Sequence, residues 1–464
     1  MMHGRGKSDS AIVAAKPANN AERSAAEPVE PRTETEGNAD QQSTRRAQSR
    51  VSVSQALERI RQVAKERKKE RFTALFHHIS IDLLDEAFFE LKQDAAAGVD
   101  DLTWQDYQAN LERNLEDLHE RVQRGAYRAL PSRRTYIPKP DGRQRPLAIA
   151  ALEDKIVQRA TVALLNAIYE EDFLGLSYGF RPGRCAHDAL DALFVGINST
   201  KVNWILDADI RSFFDKISQQ WLVRFLEHRI GDRRIIRLIQ KWLKVGVLEN
   251  GIVAVSDRGT GQGSVISPLL ANIYLHPLDE LMAARGYRMV RYADDFVVLC
   301  RSPEEAAAAL ATIQAWVAEN GLRLHPQKTH VGDCRQAGQG FEFLGYRFEA
   351  GRRWVRKKSL NRLKDKIRER TRRAGGQSLA RIIEGLNPIL KGWFAYFQHA
   401  HPYTFQMLDG FIRRRLRSIL LRQKTKQSCY GMSRAIHQRW PNSFFAEAGL
   451  LALHTAWLNA RHSR

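Results

Sequence analysis

Hydrophobic positions change period along the chain, and the changes mark out its elements. Helical periodicity sets in near Val51, and Leu83, Leu84, Ala87, Phe88 and Leu91 recur at helical spacing. Thr135, Tyr136 and Ile137 read as a strand. Pro138-Lys139-Pro140-Asp141-Gly142 has the composition of a turn, and Leu147 to Ile149 gives the return strand. Helical text follows from Asp154 to about Glu171. A short apolar run, Trp204 to Leu206, leads into Asp207-Ala208-Asp209, and helices are expected to start near Ser218 and Asp232. Met289–Tyr292 and Phe296–Cys300 are apolar runs joined through Ala293-Asp294-Asp295, which is a hairpin signal. Residues 304–320 read as an Ala-rich amphipathic helix, Phe341 to Phe348 as a strand, and the chain from Leu360 as basic helices. The succession predicts an α+β catalytic unit followed by an all-α unit.

Composition adds a partner class. The 464 residues suffice for two or three packed units. With 73 Lys and Arg against 52 Asp and Glu, the formal charge of +21 points to a polyanion such as nucleic acid. Cys185, Cys300, Cys334 and Cys429 are scattered, which argues against a zinc finger or a disulfide framework and for a reducing, cytoplasmic setting. No apolar run reaches the roughly 18 residues of a membrane span, and no secretory signal core is present, so no membrane partner is expected. Residues 1–50 carry almost no large apolar side chains and are expected to form a disordered tail.

Three acidic or glycine-rich stretches carry candidate chemistry. A tight turn at Tyr292-Ala293-Asp294-Asp295 lets both carboxylates reach one edge of a sheet. Like charges so close raise each other's proton affinity unless a cation neutralises them, and Mg²⁺ prefers such oxygen ligands. Asp207 and Asp209, at the end of an apolar strand, could meet that hairpin across a sheet. Gly259-Thr260-Gly261-Gln262-Gly263-Ser264 enters a helix from Ile266 to Leu275, where glycines allow close backbone approach and a helix N-terminus favours phosphate. The stretch lacks the lysine of a P-loop, which disfavours a nucleotide hydrolase. Each stretch alone has a plain alternative: a surface Asp-Asp turn, a solvated strand end, an ordinary loop.

Taken together they resemble reverse transcriptases, and the surrounding text narrows the family to those encoded by group II introns. Tyr292-Ala293-Asp294-Asp295 and Asp209-Ile210-Arg211-Ser212-Phe213-Phe214-Asp215 match palm motifs. Residues Gly259 to Leu275 look like the group II version of the next one. Ile137-Pro138-Lys139-Pro140 with Arg145-Pro146-Leu147 is similar to the fingers motif, and Ser177-Tyr178-Gly179-Phe180-Arg181-Pro182 also fits. Leu386-Asn387 through Gly392-Trp393-Phe394-Ala395-Tyr396-Phe397 resembles the maturase, or thumb, segment.

The resemblance implies a right-hand polymerase, fingers and palm with an antiparallel sheet, followed by an all-α thumb/maturase domain. Its expected boundaries are a disordered tail at 1–50, a helical extension and start of fingers at 51–130, fingers and palm at 131–349, and an α-helical thumb/maturase with a C-terminal DNA-binding-like segment at 350–464. Asp209, Ile210 and Asp294 would hold two Mg²⁺ ions, with Asp295 assisting catalysis. Phe214 would sit under the sugar and reject a 2′-hydroxyl. Lys139 and Arg145 would grip the triphosphate, Gln262 would line the nucleotide pocket, and Lys328 would lie near the departing pyrophosphate. Expected partners are the host intron RNA, a DNA target or primer strand and dNTPs, in the bacterial cytoplasm and at the nucleoid during mobility. A maturase without polymerase activity, and a reverse transcriptase of a retron, CRISPR-linked or defence system, are the alternatives. The intact carboxylates argue against the first and the long 386–445 segment against the second.

Gly261 departs from the proline of many relatives and leaves that loop more flexible. No paired cysteines remain near Arg464, so no endonuclease domain is expected, and synthesis would be primed on an existing DNA strand. Between Arg352 and Arg373 stand 12 basic and 2 acidic residues, and between Phe411 and Lys426 stand 7 basic and no acidic ones. On helices these would form stripes that contact RNA phosphates, with Arg352, Arg353, Arg356, Lys357, Lys358 and Arg362 as candidates. Trp393, Phe394, Tyr396 and Phe397 are expected to be thumb core.

Overall fold

The computed structural model describes residues 37–138, 142, 144–199, 202–372, 376–425 and 434–462. It divides into two compact units, one comprising the chain up to 193 with 206–300 and 304–330, the other comprising 194–205, 301–303 and 331–464. Lys139 and most of its turn, Arg373, Lys426 and Cys429 lie outside the described residues, as does 1–36.

In the first unit, helix α1 (Gly37–Glu66) begins inside the stretch whose composition predicted a disordered tail. Its early residues include Ala, Gln and Arg, which favour helix without supplying an apolar stripe for periodicity to reveal. Helix α2 (Ile81–Phe89) is capped by the Ser80 hydroxyl, which accepts the Leu83 N–H at 3.2 Å, and it buries Leu83, Leu84, Ala87 and Phe88 as their spacing predicts. Helices α3 (Trp104–Gln108) and α4 (Leu111–Gln123) follow. Strands β1 (Ser132–Pro138) and β2 (Gln144–Ile149) pair antiparallel, with Thr135 opposite Leu147 and Ile137 opposite Arg145. Helix α5 (Leu152–Asp172) is buried along most of its length, and α1 and α2 pack on it.

Helix α6 (Ala186–Ser199) leads to β3 (Trp204–Asp209) and the short α7 (Phe213–Lys216). The caps of α8 (Gln219–Glu227) and α9 (Arg233–Lys244) are Ser218 and Asp232, where helix starts were expected. Strands β4 (Val247–Glu249) and β5 (Ile252–Ala254) were not foreseen. Asn250 and Gly251 between them have φ of 51° and 80°, the pattern for which Asn-Gly is the strongest short hairpin signal. Strand β4 joins β1 in parallel, so the sheet β2-β1-β4-β5 is mixed rather than antiparallel throughout. Helix α10 (Ser267–Ala284) precedes β6 (Arg288–Tyr292) and β7 (Asp295–Cys300), which pair antiparallel, with β7 between β6 and β3. Helix α11 (Pro303–Glu319) completes the helices of this unit. Leu206, Phe296, Val297, Leu270 and Leu275 lie in its core.

The second unit contains β8 (His330–Asp333) and a sheet of β9 (Phe341–Phe343), β10 (Tyr346–Glu349) and β11 (Arg352–Val355) in the order β11-β10-β9. The single strand expected at 341–348 is two, because Leu344 (φ 46°) and Gly345 (φ 84°) reverse the chain. Strand β11 also lies in the segment expected to be all-α, so Arg352 and Arg353 stand on a strand and only the later part of the basic stripe is helical. Helices α12 (Lys357–Arg370), α13 (Leu379–Phe397), α14 (Pro402–Thr425), α15 (Arg434–Arg439), α16 (Asn442–Glu447) and α17 (Leu453–His462) follow. Trp393 packs on Phe397 and Phe394 on Phe405, with ring centroids 4.8 and 5.4 Å apart; Phe397 and Phe405 are buried core, whereas Trp393, Phe394 and Tyr396 are half-buried at its margin. Among the described residues no helix is long and apolar enough to cross a membrane.

Candidate active site

Pairing of Tyr292 with Asp295 leaves Ala293 and Asp294 as the two-residue turn of the β6–β7 hairpin. Ala293 has φ of 60°, at a position where such hairpins usually take glycine. Left-handed backbone at a non-glycine residue costs about 1–3 kcal/mol and persists only when its surroundings fix it.

A buried guanidinium does the fixing. Arg291 is fully buried, donates to the Ala293 carbonyl at 2.9 Å and to Asn272 Oδ1 at 2.9 Å, and forms an ion pair with the equally buried Asp279 of α10. Asn272 in turn donates to the Gly179 carbonyl at 2.8 Å. The segment around Gly179 lies along β6: Arg291 N–H donates to Leu176 and Tyr178 N–H to Arg291, both at 2.9 Å. A Cβ on Gly179 would stand 2.4 Å from the Ala293 nitrogen. The Ser177–Pro182 motif is therefore the backing of the aspartate turn.

Strand β3, beside β7, ends in Asp209, whose Oδ2 accepts from Lys328 Nζ at 2.6 Å. The lysine's segment is anchored there by backbone: His325 N–H donates to Asp209 at 2.7 Å and Arg211 N–H to Arg323 at 2.9 Å. Ile210 bridges Leu324 between them, and neither bond uses the Ile210 carbonyl. The Asp294 carboxyl is half-buried, and its pKa is raised, first by burial and then by the charge of Asp209, with Lys328 and Arg145 opposing. Asp209, Asp294, Lys328 and Arg145, expected from sequence to share one centre, thus lie within electrostatic reach of the same carboxyl group. Asp295 is half-buried at the start of β7.

The donor set suits a hard divalent ion. A buried carboxyl group whose proton affinity is raised by a second carboxylate is relieved by a cation. Among the described residues no group of three or more His, Cys, Asp or Glu gathers; Mg²⁺ typically takes one or two carboxylates together with substrate oxygens.

The glycine loop comes to the same region. Gly259 (φ 82°) donates to Ile217 at 2.7 Å, and Thr260 N–H donates to the Phe214 carbonyl at 2.8 Å. Gln262 donates to Asp215 at 3.1 Å and its carbonyl accepts the Ala148 N–H at 2.6 Å, which joins the loop to β2. Phe213 is the fully buried ring of its pair, and Phe214 packs edge-on against it, half-exposed, so Phe214 is not plain core. Arg145 is exposed on β2. A cavity of ≈ 250 Å³ is lined by Ala148, Asp154, Asp215, Gly261 and Gln262. Burial pushes the Asp154 carboxyl up to about 6, although it accepts from Tyr127 Oη and from Leu130 N–H.

Sequence reasoning passed over Arg291 and Asp279, and gave no role to Gly179 and Asn272 although both stand in matched motifs. The available signal was polar side chains in otherwise apolar text, since a buried charge must find a partner. In the second unit, Lys357, Lys358 and Arg362 are exposed on α12, and Arg356 stands 3.7 Å from Glu342. Arg352 and Arg353 lie on β11, with the Arg353 guanidinium 4.2 Å from the centre of the Phe194 ring.

Two family profiles match the chain: reverse transcriptase (RNA-dependent DNA polymerase) at residues 137–348, and the group II intron maturase-specific domain at 360–440. Protein YkfC of Escherichia coli (strain K12) is 34% identical over 291 residues, which cover 54% of this chain and 75% of YkfC. The group II intron-encoded protein LtrA of Lactococcus lactis is 34% identical over 228 residues, 49% of this chain and 38% of LtrA. A 91 kDa protein in the cob intron of Schizosaccharomyces pombe is 44% identical over 152 residues, 33% of this chain and 19% of that protein. The chain therefore spans three quarters of YkfC and a much smaller share of the other two. On these matches and this geometry, the chain belongs to the group II intron-encoded reverse transcriptase and maturase family, with the right-hand fold and the RNA-directed DNA polymerase of that family.

Proposed function

We propose that this chain copies its host group II intron RNA into DNA from a DNA primer strand at the Asp209–Asp294 centre, and assists splicing of that RNA through its C-terminal basic surface. The reading is supported by one observation: β3, which ends in Asp209, lies beside β7, whose hairpin with β6 turns at Asp294, so carboxylates far apart in sequence meet at one sheet.

Asp209, the Ile210 carbonyl and Asp294 would hold two Mg²⁺ ions. When bound, these ions neutralise the triphosphate and acidify the primer 3′-hydroxyl. The remaining work is positioning and charge placement by the protein. Asp295 supports the turn beside the reacting groups. Arg145 and Lys139 grip the triphosphate, Gln262 lines the nucleotide pocket, and Phe214 excludes a ribose 2′-hydroxyl. Lys328 leaves Asp209 to neutralise the departing pyrophosphate, a change of partner open to its long, exposed side chain. Fingers and palm at 131–349 and thumb/maturase at 350–464 are the domains that go with these roles. Arg352, Arg353, Arg356, Lys357, Lys358 and Arg362 contact RNA phosphates.

The test is primer extension on an RNA template with Mg²⁺ and dNTPs. Asp294→Ala should lose synthesis while retaining RNA binding. Equal synthesis by wild type and variant would remove the catalytic assignment.

A further inference from the structure

A recess of ≈ 450 Å³ lies wholly within the second unit, inside the range of roughly 300–1,000 Å³ found for small-ligand clefts. Phe194, Arg352, Arg353, His401, Trp457 and Arg461 are among its lining residues, and no acidic side chain lines it among the described residues. Its groups are flat and stacked. The Arg353 guanidinium lies 4.2 Å from the Phe194 ring centre and that of Arg461 4.9 Å from Trp457. The His401 ring stands 4.4 Å from Trp354, tilted by 32°. His401 Nδ1 accepts the Tyr403 N–H at 3.4 Å, and burial, helped by Arg352, holds the ring's pKa below its ordinary value. A neutral ring that accepts at Nδ1 keeps its proton on Nε2, where it is a donor.

Arg352 and Arg461 border a recess with no acidic side chain among its described lining, so an anionic group is favoured there. Aromatic and guanidinium planes are also the surfaces on which unstacked bases lie, with little regard for base identity. We infer that this recess takes one unstacked nucleotide of single-stranded RNA, its base on the Trp457 and arginine planes and its phosphate against Arg352 and Arg461. The subsite rests on the RNA-binding reading of this unit and adds to it a base-stacking contact, where the basic stripe offers only phosphate contacts. A duplex, whose bases stay stacked, is not a ligand for it.

The test uses the full chain and a fluorescein-labelled single-stranded oligouridine, with anisotropy read at fixed salt. Trp457→Ala should weaken binding roughly tenfold, as expected for loss of one base stack, and Trp457→Phe should restore most of it. Binding of a duplex of the same length should not change. In a second readout, an oligouridine carrying 5-iodouridine should photocrosslink to Trp457. Should Trp457→Ala fail to fold, Arg461→Ala on exposed α17 takes its place. Unchanged affinity for Trp457→Ala, with Arg362→Glu on α12 clearly weaker, overturns the subsite and leaves the RNA-binding reading standing. If neither variant weakens binding, that reading falls as well. Uridine monophosphate that competes as well as the oligonucleotide also overturns the proposal, because the recess would then be a mononucleotide site.

Discussion

A single methyl group separates two glycines near the centre. On Gly179 it would stand 2.4 Å from the Ala293 nitrogen and 2.9 Å from the Tyr292 carbonyl carbon, both backbone atoms with no rotamer in which to escape. On Gly261 it would meet the Ala148 Cβ at 3.4 Å and the Ser264 Cβ at 3.7 Å, with no left-handed φ to strain. Gly179→Ala should displace the aspartate turn and lower RNA-templated synthesis by about tenfold or more, since small misplacements of reacting groups are costly. Gly261→Ala should stay within about twofold of wild type. Primer extension by the two variants, side by side, checks both expectations. The carboxylates were legible in the sequence because charges at the ends of apolar strands stand out. Arg291 was not, because an arginine in a strand reads as its solvent-facing alternate. Its partners Asn272 and Asp279 sit 19 and 12 residues earlier, on a helix whose rotation the sequence does not reveal.

Among the elements, α5, α9 and the segment before β1 are tied by one tyrosine. Tyr127 donates to Asp154 of α5, accepts from Trp242 Nε1 of α9 at 2.9 Å, and offers its carbonyl to Lys241 at 2.6 Å. The Asp154 carboxyl titrates at about 6 in the fold, above its ordinary value of 3.8. A raised carboxyl pKa means that the folded state holds the proton more tightly than the unfolded chain. Stability from this group therefore grows as pH falls through about 6 toward 4, and is lost above it. Tyr127→Phe removes a donor that eases the charged form, so its cost, about 1–3 kcal/mol, should be larger at pH 8 than at pH 5. Denaturant midpoints at the two pH values measure this, and equal losses would mean that the tyrosine does not support a charged carboxylate. Helix starts were readable here because Ser218 and Asp232 are caps with a local mechanism. The break at Leu344 was read through, since a leucine with φ of 46° carries no mark of it and the one signal was the Gly345 that follows.

At the scale of the whole molecule, the charge of +21 sets how RNA affinity responds to salt. Affinity should fall linearly on a log–log plot as salt rises. Charge reversal of Lys357, Lys358 and Arg362 together should flatten that slope by roughly two to three units, as three phosphate contacts release fewer counterions. Filter binding over a salt series reads the slope, and an unchanged slope would place the RNA elsewhere. The family, too, is legible only at this scale. Each motif alone has an ordinary reading as turn, loop or strand end, and it is their order from Ile137 to Phe397 that singles out the family.

Arg291 clamps the aspartate turn to α10, an 18-residue helix. A turn fastened in this way borrows the stiffness of the helix and cannot drift while the helix remains wound. Warming should therefore silence the polymerase at the same midpoint at which helical signal disappears, with no earlier phase of folded but inactive protein.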